Sequence, residues 1–195
     1  MSKYQADLSP DAEGYLTGER GLTRETVDRF RLGYVETPLP GHEHVRGHLA
    51  IPYLTPDGDI VSMRFRRLFG SGGPKYMSMA ADIPRIYNTA GLEVDMSGIV
   101  VCEGEIDTMT AIQCGLPAVG IPGAQAWQKR WWRLLVQYRA VFVLHDDDEP
   151  GRDFARKISE SLENVRMIPM TGGDVNSYFR EHGASGLKQK VGING

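Results

Sequence analysis

Carboxylates gather at three places in the second half of this chain. They stand at Glu103-Gly104-Glu105-Ile106-Asp107, at Asp146-Asp147-Asp148-Glu149, and at Asp174 behind Gly172-Gly173. Each group follows a short apolar run, at 99–102, 140–144 and 165–170. If those runs are neighbouring parallel strands, their carboxyl ends bring all three groups to one edge, where the ligands of open α/β sheets collect. Converging carboxylates repel one another, so they demand a cation or raised pKa values. The donors are oxygens, with no histidine or thiol cluster among them, so the cation expected is Mg²⁺ or Mn²⁺ and not zinc. Mg²⁺ held by a few carboxylates typically awaits substrate phosphates. A loop that merely caps the next helix would not need three adjacent aspartates at 146–148. Within that run Asp147 and Glu149 are expected to face solvent.

Positive charge is concentrated elsewhere. Between residues 64 and 85 stand five basic residues, Arg64, Arg66, Arg67, Lys75 and Arg85, against the single acid Asp82. Between 146 and 153 five acids stand against Arg152 alone. A basic strip and an acidic cluster on one chain suit a polyanion with cations between them. The net charge is −3, which counts against tight nonspecific binding of duplex.

The elements that must position these residues fall into two sets. In the first half, Ser9-Pro10-Asp11 opens a short helix to about residue 17, and Thr23 caps a second that Gly33 ends. Residues 38–47 form a polar loop, and its His42 and His44, with His48 just beyond, are expected to be loop residues and not metal ligands. Runs 48–54 and 60–68 make a hairpin around the Pro56-Asp57-Gly58 turn. In the second run Val61, Met63 and Phe65 share the packed face, and Ser62, Arg64 and Arg66 share the other. A loop from Gly70 to Pro74 then delivers Lys75 and Tyr76. In the second half, strands at 99–102, 117–121, 140–144 and 165–170 alternate with helices at 106–114, 126–138, 151–162 and 175–182, which predicts a parallel sheet covered by helices. Trp127, Trp131 and Trp132 fall at helical spacing and are expected to pack. The fold class expected is an α+β N-terminal subdomain, residues 1–96, followed by an α/β domain with a central parallel sheet, residues 97–195.

Composition narrows the function further. At 41% apolar and 24% charged the chain can build a packed core. It has no 18-residue apolar run and no apolar leader, so neither a membrane partner nor secretion is expected. Two cysteines, Cys102 and Cys114, cannot form a four-cysteine zinc site, and both lie in apolar segments that suit reduced thiols in a cytoplasm.

Glu103-Gly104-x-x-Asp107 after one strand and Asp146-x-Asp148-x-x-Gly151 after a later one resemble the Toprim domain. The likeness extends to DnaG-type primases, in compact phage-like form. Tyr15-Leu16-x-x-x-Arg20-Gly21-Leu22 and Phe30-x-Leu32-Gly33-Tyr34 are similar to the start of their catalytic core. Ala50-Ile51-Pro52 and Pro74-Lys75-Tyr76 are similar to the segment before Toprim. Gly173-Asp174-x-x-x-Tyr178-x-x-x-x-Gly183 is similar to the segment after it, so the resemblance runs from about residue 13 to 187. Each motif alone is loose, and the ordered series is specific.

The resemblance implies RNA primer synthesis on single-stranded DNA from ribonucleoside triphosphates, with Mg²⁺ or Mn²⁺ and no zinc. It implies Glu103, Asp146 and Asp148 as catalytic residues, with Glu103, Asp107, Asp146, Asp148 and Asp174 around the metal. Lys75, Arg64, Arg66, Arg67 and Arg85 would bind nucleotide or template. Asn176 stands where the primase pattern has another aspartate, a departure that bears on a second metal. The implied partners are template, nucleotides and a replicative helicase or separate zinc-module protein, in the cytoplasm of the cell or of a phage host. Two other functions share the carboxylates: a small Toprim nuclease, in which water replaces the 3′-hydroxyl, and a non-catalytic nucleic-acid-binding replication accessory. Assaying extension and cleavage together separates them.

Overall fold

The computed structural model describes residues 1–70, 73–79, 81–93 and 96–192; Ser71 and Gly72 of the Gly70–Pro74 loop lie outside the described residues. The chain divides into two compact units, Met1–Ile83 and Pro84–Gly195. The break falls after Ile83 and not near residue 96, because the segment that follows is tied to the parallel sheet. Tyr87 pairs with Gly120 as an isolated bridge, the Asn88 side-chain amide donates to the Ala118 carbonyl at 2.8 Å, and the Tyr138 hydroxyl donates to the Leu92 carbonyl.

The first unit opens with a helix the sequence did not announce, α1 (Ser2–Ala6), whose Tyr4 is fully buried. α2 (Pro10–Gly14) begins as expected, with the Ala12 backbone N–H donating to Ser9 Oγ. It runs into a π-turn, and α3 (Arg24–Arg29) follows, capped by Thr23. Strands β1 (Gly33–Tyr34), β2 (His48–Leu54), β3 (Ile60–Arg67) and β4 (Tyr76–Ser78) form an antiparallel sheet in that order. Tyr4, Val35, Val45, Ala50 and Phe65 fill its core. Tyr4 also organises the polar loop. Its hydroxyl bonds His42 Nδ1 at 2.8 Å and accepts from the Leu39 N–H at 3.0 Å. The packed face expected for β3 holds at Phe65, while Val61 is 47% exposed because the far end of the hairpin extends beyond that core.

The second unit alternates strands and helices: β5 (Ile99–Cys102), α4 (Glu105–Gln113), β6 (Ala118–Gly120), α5 (Trp132–Leu135), β7 (Val141–Asp146), α6 (Glu149–Ser159), β8 (Val165–Met170) and α7 (Val175–Val191). The sheet is parallel, in the order β6-β5-β7-β8. Side chains alternate along each strand, which yields two apolar layers. Ile99, Val101 and Val143 pack against Trp131, Leu135, Phe154 and Ile158 of the α5–α6 side. Val100, Cys102 and Leu144 pack against Ala111, Val175 and Leu187 of the α4–α7 side.

Two helices differ from expectation. The segment 126–138 is an extended lead, a 3-10 turn over Lys129–Trp131 and the single turn of α5, because Gln128 adopts an extended conformation. α7 runs past residue 182 through a break at Gly183, whose φ of 69° suits a residue without Cβ, and carries Leu187 and Val191 into the core. Among the described residues no helix is long and apolar enough to cross a membrane.

Candidate active site

The site lies at the carboxyl edge of the parallel sheet, and its aspartates are held there by helix starts. β7 ends at Asp146, and Asp148, in extended conformation, is the N-cap of α6: its Oδ1 accepts the Gly151 N–H at 2.8 Å. The turn is so tight that a Cβ on Gly151 would lie 2.3 Å from the Asp146 carbonyl oxygen, so only glycine fits. β8 ends through Gly172 and Gly173 at Asp174, the N-cap of α7, whose Oδ1 accepts the Ser177 N–H at 2.7 Å. Both caps satisfy orphan helix donors, and the helix dipoles favour the negative charge. The adjacency of β7 and β8, with Asp146 in register with Met170, brings the two corners together. They line a cleft of about 480 Å³ formed by residues 146–148, 172–174 and Ser177. Asp147 is exposed and pairs with Arg152 at 3.1 Å.

Glu103, at the end of β5, is the outlier. Its side chain is half-buried, and Oε2 is buried without a hydrogen-bond partner among the described residues. Burial first, then the Asp146 and Asp148 charges, push its carboxyl up to about 7, against the pull of a hydrogen bond from the Asp146 backbone. A buried carboxylate oxygen left unpaired beside two more carboxylates is the arrangement a hard cation would satisfy. Among the described residues no three His, Cys, Asp or Glu side chains form a ready-made ligand set. The donor chemistry still fits Mg²⁺ or Mn²⁺, which take one or two carboxylates and complete their shell with water and substrate phosphate.

Asp107 and Asn176 join the two helices on one side of the sheet. Asp107 Oδ1 accepts the Asn176 N–H at 3.0 Å, and so braces the first turn of α7 against α4. Asn176 is 1% exposed, and its amide donates to Thr110 Oγ1 at 2.9 Å. Asn176, the departure from the primase pattern, is therefore turned into the protein and is not among the residues that line the cleft. Two further residues escaped the sequence reading. Ser177 lines the cleft, and His145, 5% exposed, holds the end of β7 through a 2.8 Å contact between Nδ1 and the Asp146 carbonyl. The hydroxyl three positions after Asp174 was the available signal for the first. A histidine ending an apolar strand carries no such signal.

In the first unit the basic strip is a stack. The Arg66 guanidinium lies 5.6 Å from the Tyr15 ring centroid and 5.1 Å from that of Tyr76, and donates to the Tyr76 hydroxyl. Arg64 covers the same Tyr76 ring at 4.7 Å, and Arg20 covers Tyr15 at 5.3 Å while donating to its hydroxyl. Arg66, expected beside Arg64 on the face of β3 that binds nucleotide or template, is 6% exposed. The cause is the pairing of Arg66 with Tyr76 across β3 and β4, which sets an aromatic ring beside it. Arg67 is anchored to the Gly73 carbonyl at 2.7 Å, and Lys75 is exposed. Arg85 belongs to the second unit, not to this strip.

Comparison with known proteins agrees with this architecture. A Toprim-like family model matches residues 100–179. The Gene 57 protein of Mycobacterium phage D29 is 44% identical over 151 residues, 75% of this chain and 99% of that one. The DNA primase of Geobacillus stearothermophilus is 24% identical over 215 residues, 89% of this chain but only 36% of the primase. A DNA primase domain from Pseudomonas aeruginosa superposes with a TM-score of 0.81 at 22% identity, over 98% of this chain and 75% of that one. A DnaG primase catalytic domain solved bound to single-stranded DNA superposes with a TM-score of 0.77 at 20% identity, over 98% and 77%. An antiparallel sheet with helices, followed by a four-stranded parallel sheet with helices, is the fold of the DnaG catalytic core.

Proposed function

We propose, for a chain that belongs to the family of the Gene 57 protein of Mycobacterium phage D29 and carries a Toprim-like domain in a DnaG-core fold, that it synthesises RNA primers on single-stranded DNA from ribonucleoside triphosphates. The observation that carries this reading is Glu103, a half-buried carboxylate with an unpaired oxygen beside Asp146 and Asp148 at the edge of the sheet.

A carboxyl pushed up to about 7 is matched to take a proton near neutral pH. Glu103 takes the proton of the primer's 3′-hydroxyl as that oxygen bonds the α-phosphorus of the incoming nucleotide. The α–β phosphoanhydride bond breaks, and pyrophosphate leaves. Asp146, Asp148 and Asp174 would hold a divalent cation, which supplies neutralisation of triphosphate and pyrophosphate charge. The Asp148 and Asp174 caps keep those carboxylates in place, and Asp107 acts through α7. In the first unit Arg64, Arg67 and Lys75 engage phosphates of template or nucleotide, and Arg66 stiffens the stack behind them. A replicative helicase or a zinc-module protein would bring template to the chain.

The test is one incubation of the chain with single-stranded template, labelled nucleotides and Mg²⁺, read for extension and cleavage together. Extension that disappears in the Asp146→Asn/Asp148→Asn variant is expected. Extension at the normal rate by that variant, or cleavage without extension, overturns the reading.

A further inference from the structure

One stretch of the second unit is untouched by the proposed chemistry. From residue 108 to residue 145 the chain contains no Asp or Glu, yet it holds Lys129, Arg130, Arg133 and Arg139. All four side chains are exposed, and none has an ion-pair partner among the described residues. Nearby exposed arginines behave differently, since Arg152 pairs with Asp147 and Arg156 with Asp153. In a chain of net charge −3, a run of unpaired cations on one element is a local arrangement and not a consequence of composition.

The arrangement has a face. Trp131, Leu135 and Tyr138 turn inward to the sheet. Lys129 and Arg130 of the 3-10 turn, Arg133 of α5 and Gln137 just beyond it are exposed, with Arg133 three or four residues from each of the others, so they share one side of this segment as a stripe. Trp132 is half-buried beside the stripe, with the Arg133 guanidinium 5.9 Å from its ring centroid, and Leu134 and Val136 are 40% and 52% exposed. Cations interleaved with an aromatic and apolar surface suit unstacked bases on a phosphodiester backbone better than they suit a duplex. The chain that leads into the stripe leaves from the carboxylate edge. The segment after β6 passes beside Glu103, with the Gly123 N–H donating to the Glu103 carbonyl at 3.1 Å, before it delivers Lys129. Lys157 of α6 fastens that segment through Gln125 at 2.6 Å.

From this we infer that Lys129, Arg130 and Arg133, with Trp132, form a second nucleic-acid path, which takes a single strand of DNA along the Toprim-like unit from the carboxylate edge. The inference extends the primase reading but does not depend on catalysis, so the two can fail separately. Binding of the full chain to labelled oligothymidylate is measured by fluorescence anisotropy across a salt series, in EDTA. The expected result for Lys129→Ala/Arg130→Ala/Arg133→Ala is a salt slope shallower by about two, from roughly 0.7 per lost phosphate contact, and a loss of affinity of about tenfold or more at low salt. The charge-preserving Lys129→Arg/Arg130→Lys/Arg133→Lys variant should keep the parental slope. Trp132→Leu should weaken binding of single strand while leaving that slope intact. An unchanged slope in the triple alanine variant overturns the path, as does a loss confined to duplex or to polyglutamate. A reduced slope in a chain that makes no primer leaves the path standing and removes the primase reading.

Discussion

The two kinds of strand-to-helix corner in the parallel sheet treat negative charge in opposite ways. Where β7 meets α6 and β8 meets α7, the carboxylates of Asp148 and Asp174 accept backbone N–H groups as helix caps. Where β5 meets α4, the N-cap is Gly104, with no side-chain cap, and Glu103 sits just before it with a buried oxygen that has no hydrogen-bond partner among the described residues. Charge held by N–H groups and a helix dipole is stabilised as charge. Charge stripped of water and set beside two other carboxylates is not, and the proton returns. We propose that the difference divides the roles: the capping aspartates, fixed at helix starts, hold a cation, and Glu103, whose carboxyl burial and neighbouring charges push up, exchanges a proton.

The largest effect that tests this division is at Asp148. Asp148→Asn keeps an oxygen that can cap α6 but loses the charge, so activity should fall on the order of 10³-fold with thermal stability held. Asp148→Ala should lose the same activity and about 1 kcal/mol of stability besides. Equal activity losses with unequal midpoints in thermal unfolding would separate the two roles of one carboxylate; an active Asn variant would show that the charge has no role.

Next is Glu103→Gln. Activity should fall about 10²-fold, the scale of a lost general base. Stability should move the other way. The folded carboxyl lies near 7, above the ordinary value of 4.5, so the ionised form costs the metal-free fold. That cost is absent below the ordinary value, grows as pH rises between the two, and is complete above 7. Glutamine removes it. The variant should therefore unfold later than the parent at pH 8, by at most about 2–3 kcal/mol, and match it below the ordinary glutamate range. Denaturant unfolding in EDTA across that pH span checks the sign, and a variant less stable at pH 8 contradicts it.

Asn176 offers a smaller effect. It occupies the position where the primase pattern carries an aspartate, yet it is buried against Thr110 with its N–H on Asp107. Asn176→Asp should not create a better metal site. It should bury a carboxylate near Asp107 and lower stability by roughly 1–3 kcal/mol, while Mg²⁺ affinity by calorimetry stays level. A rise in affinity would return this position to the cleft.

The degree to which the sequence disclosed all this follows from what each feature needs. Strands β5, β7 and β8 were legible because an apolar run ending in acids leaves a linear trace, and so were the caps at Ser9 and Thr23, which act within three residues. α1 was missed because Tyr4 owes its burial to His42 and Leu39, tens of residues away. Arg64 and Arg66 alternate as on any wet strand face; that Arg66 is covered depends on Tyr15 from another element and Tyr76 from the next strand. Asn176 read as a weakened ligand, because the sequence shows a side chain's type and not the direction it faces. The carboxylates could be named in advance, but the division between capping and desolvated groups is a property of the fold alone.

The same division holds for cations, where it predicts the smallest effect. Arg66 is enclosed between two rings and bonded to the Tyr76 hydroxyl, with its Nε buried and unpaired among the described residues, whereas Lys75, just before β4, is exposed. If enclosed charges serve structure and exposed ones meet the ligand, the neighbouring variants Tyr76→Phe and Lys75→Ala should separate cleanly. Tyr76→Phe removes one hydrogen bond and leaves the ring under Arg64 and Arg66, so stability should fall by about 0.5–1.5 kcal/mol. Its salt dependence of template binding should not move, because no phosphate contact is lost. Lys75→Ala should leave the unfolding midpoint in place and make the salt slope for single strands shallower by about 0.7. The exchange of those outcomes, with a changed slope for Tyr76→Phe and a changed midpoint for Lys75→Ala, would mean that the stacked arginines are the ligand surface and that Lys75 is part of the frame.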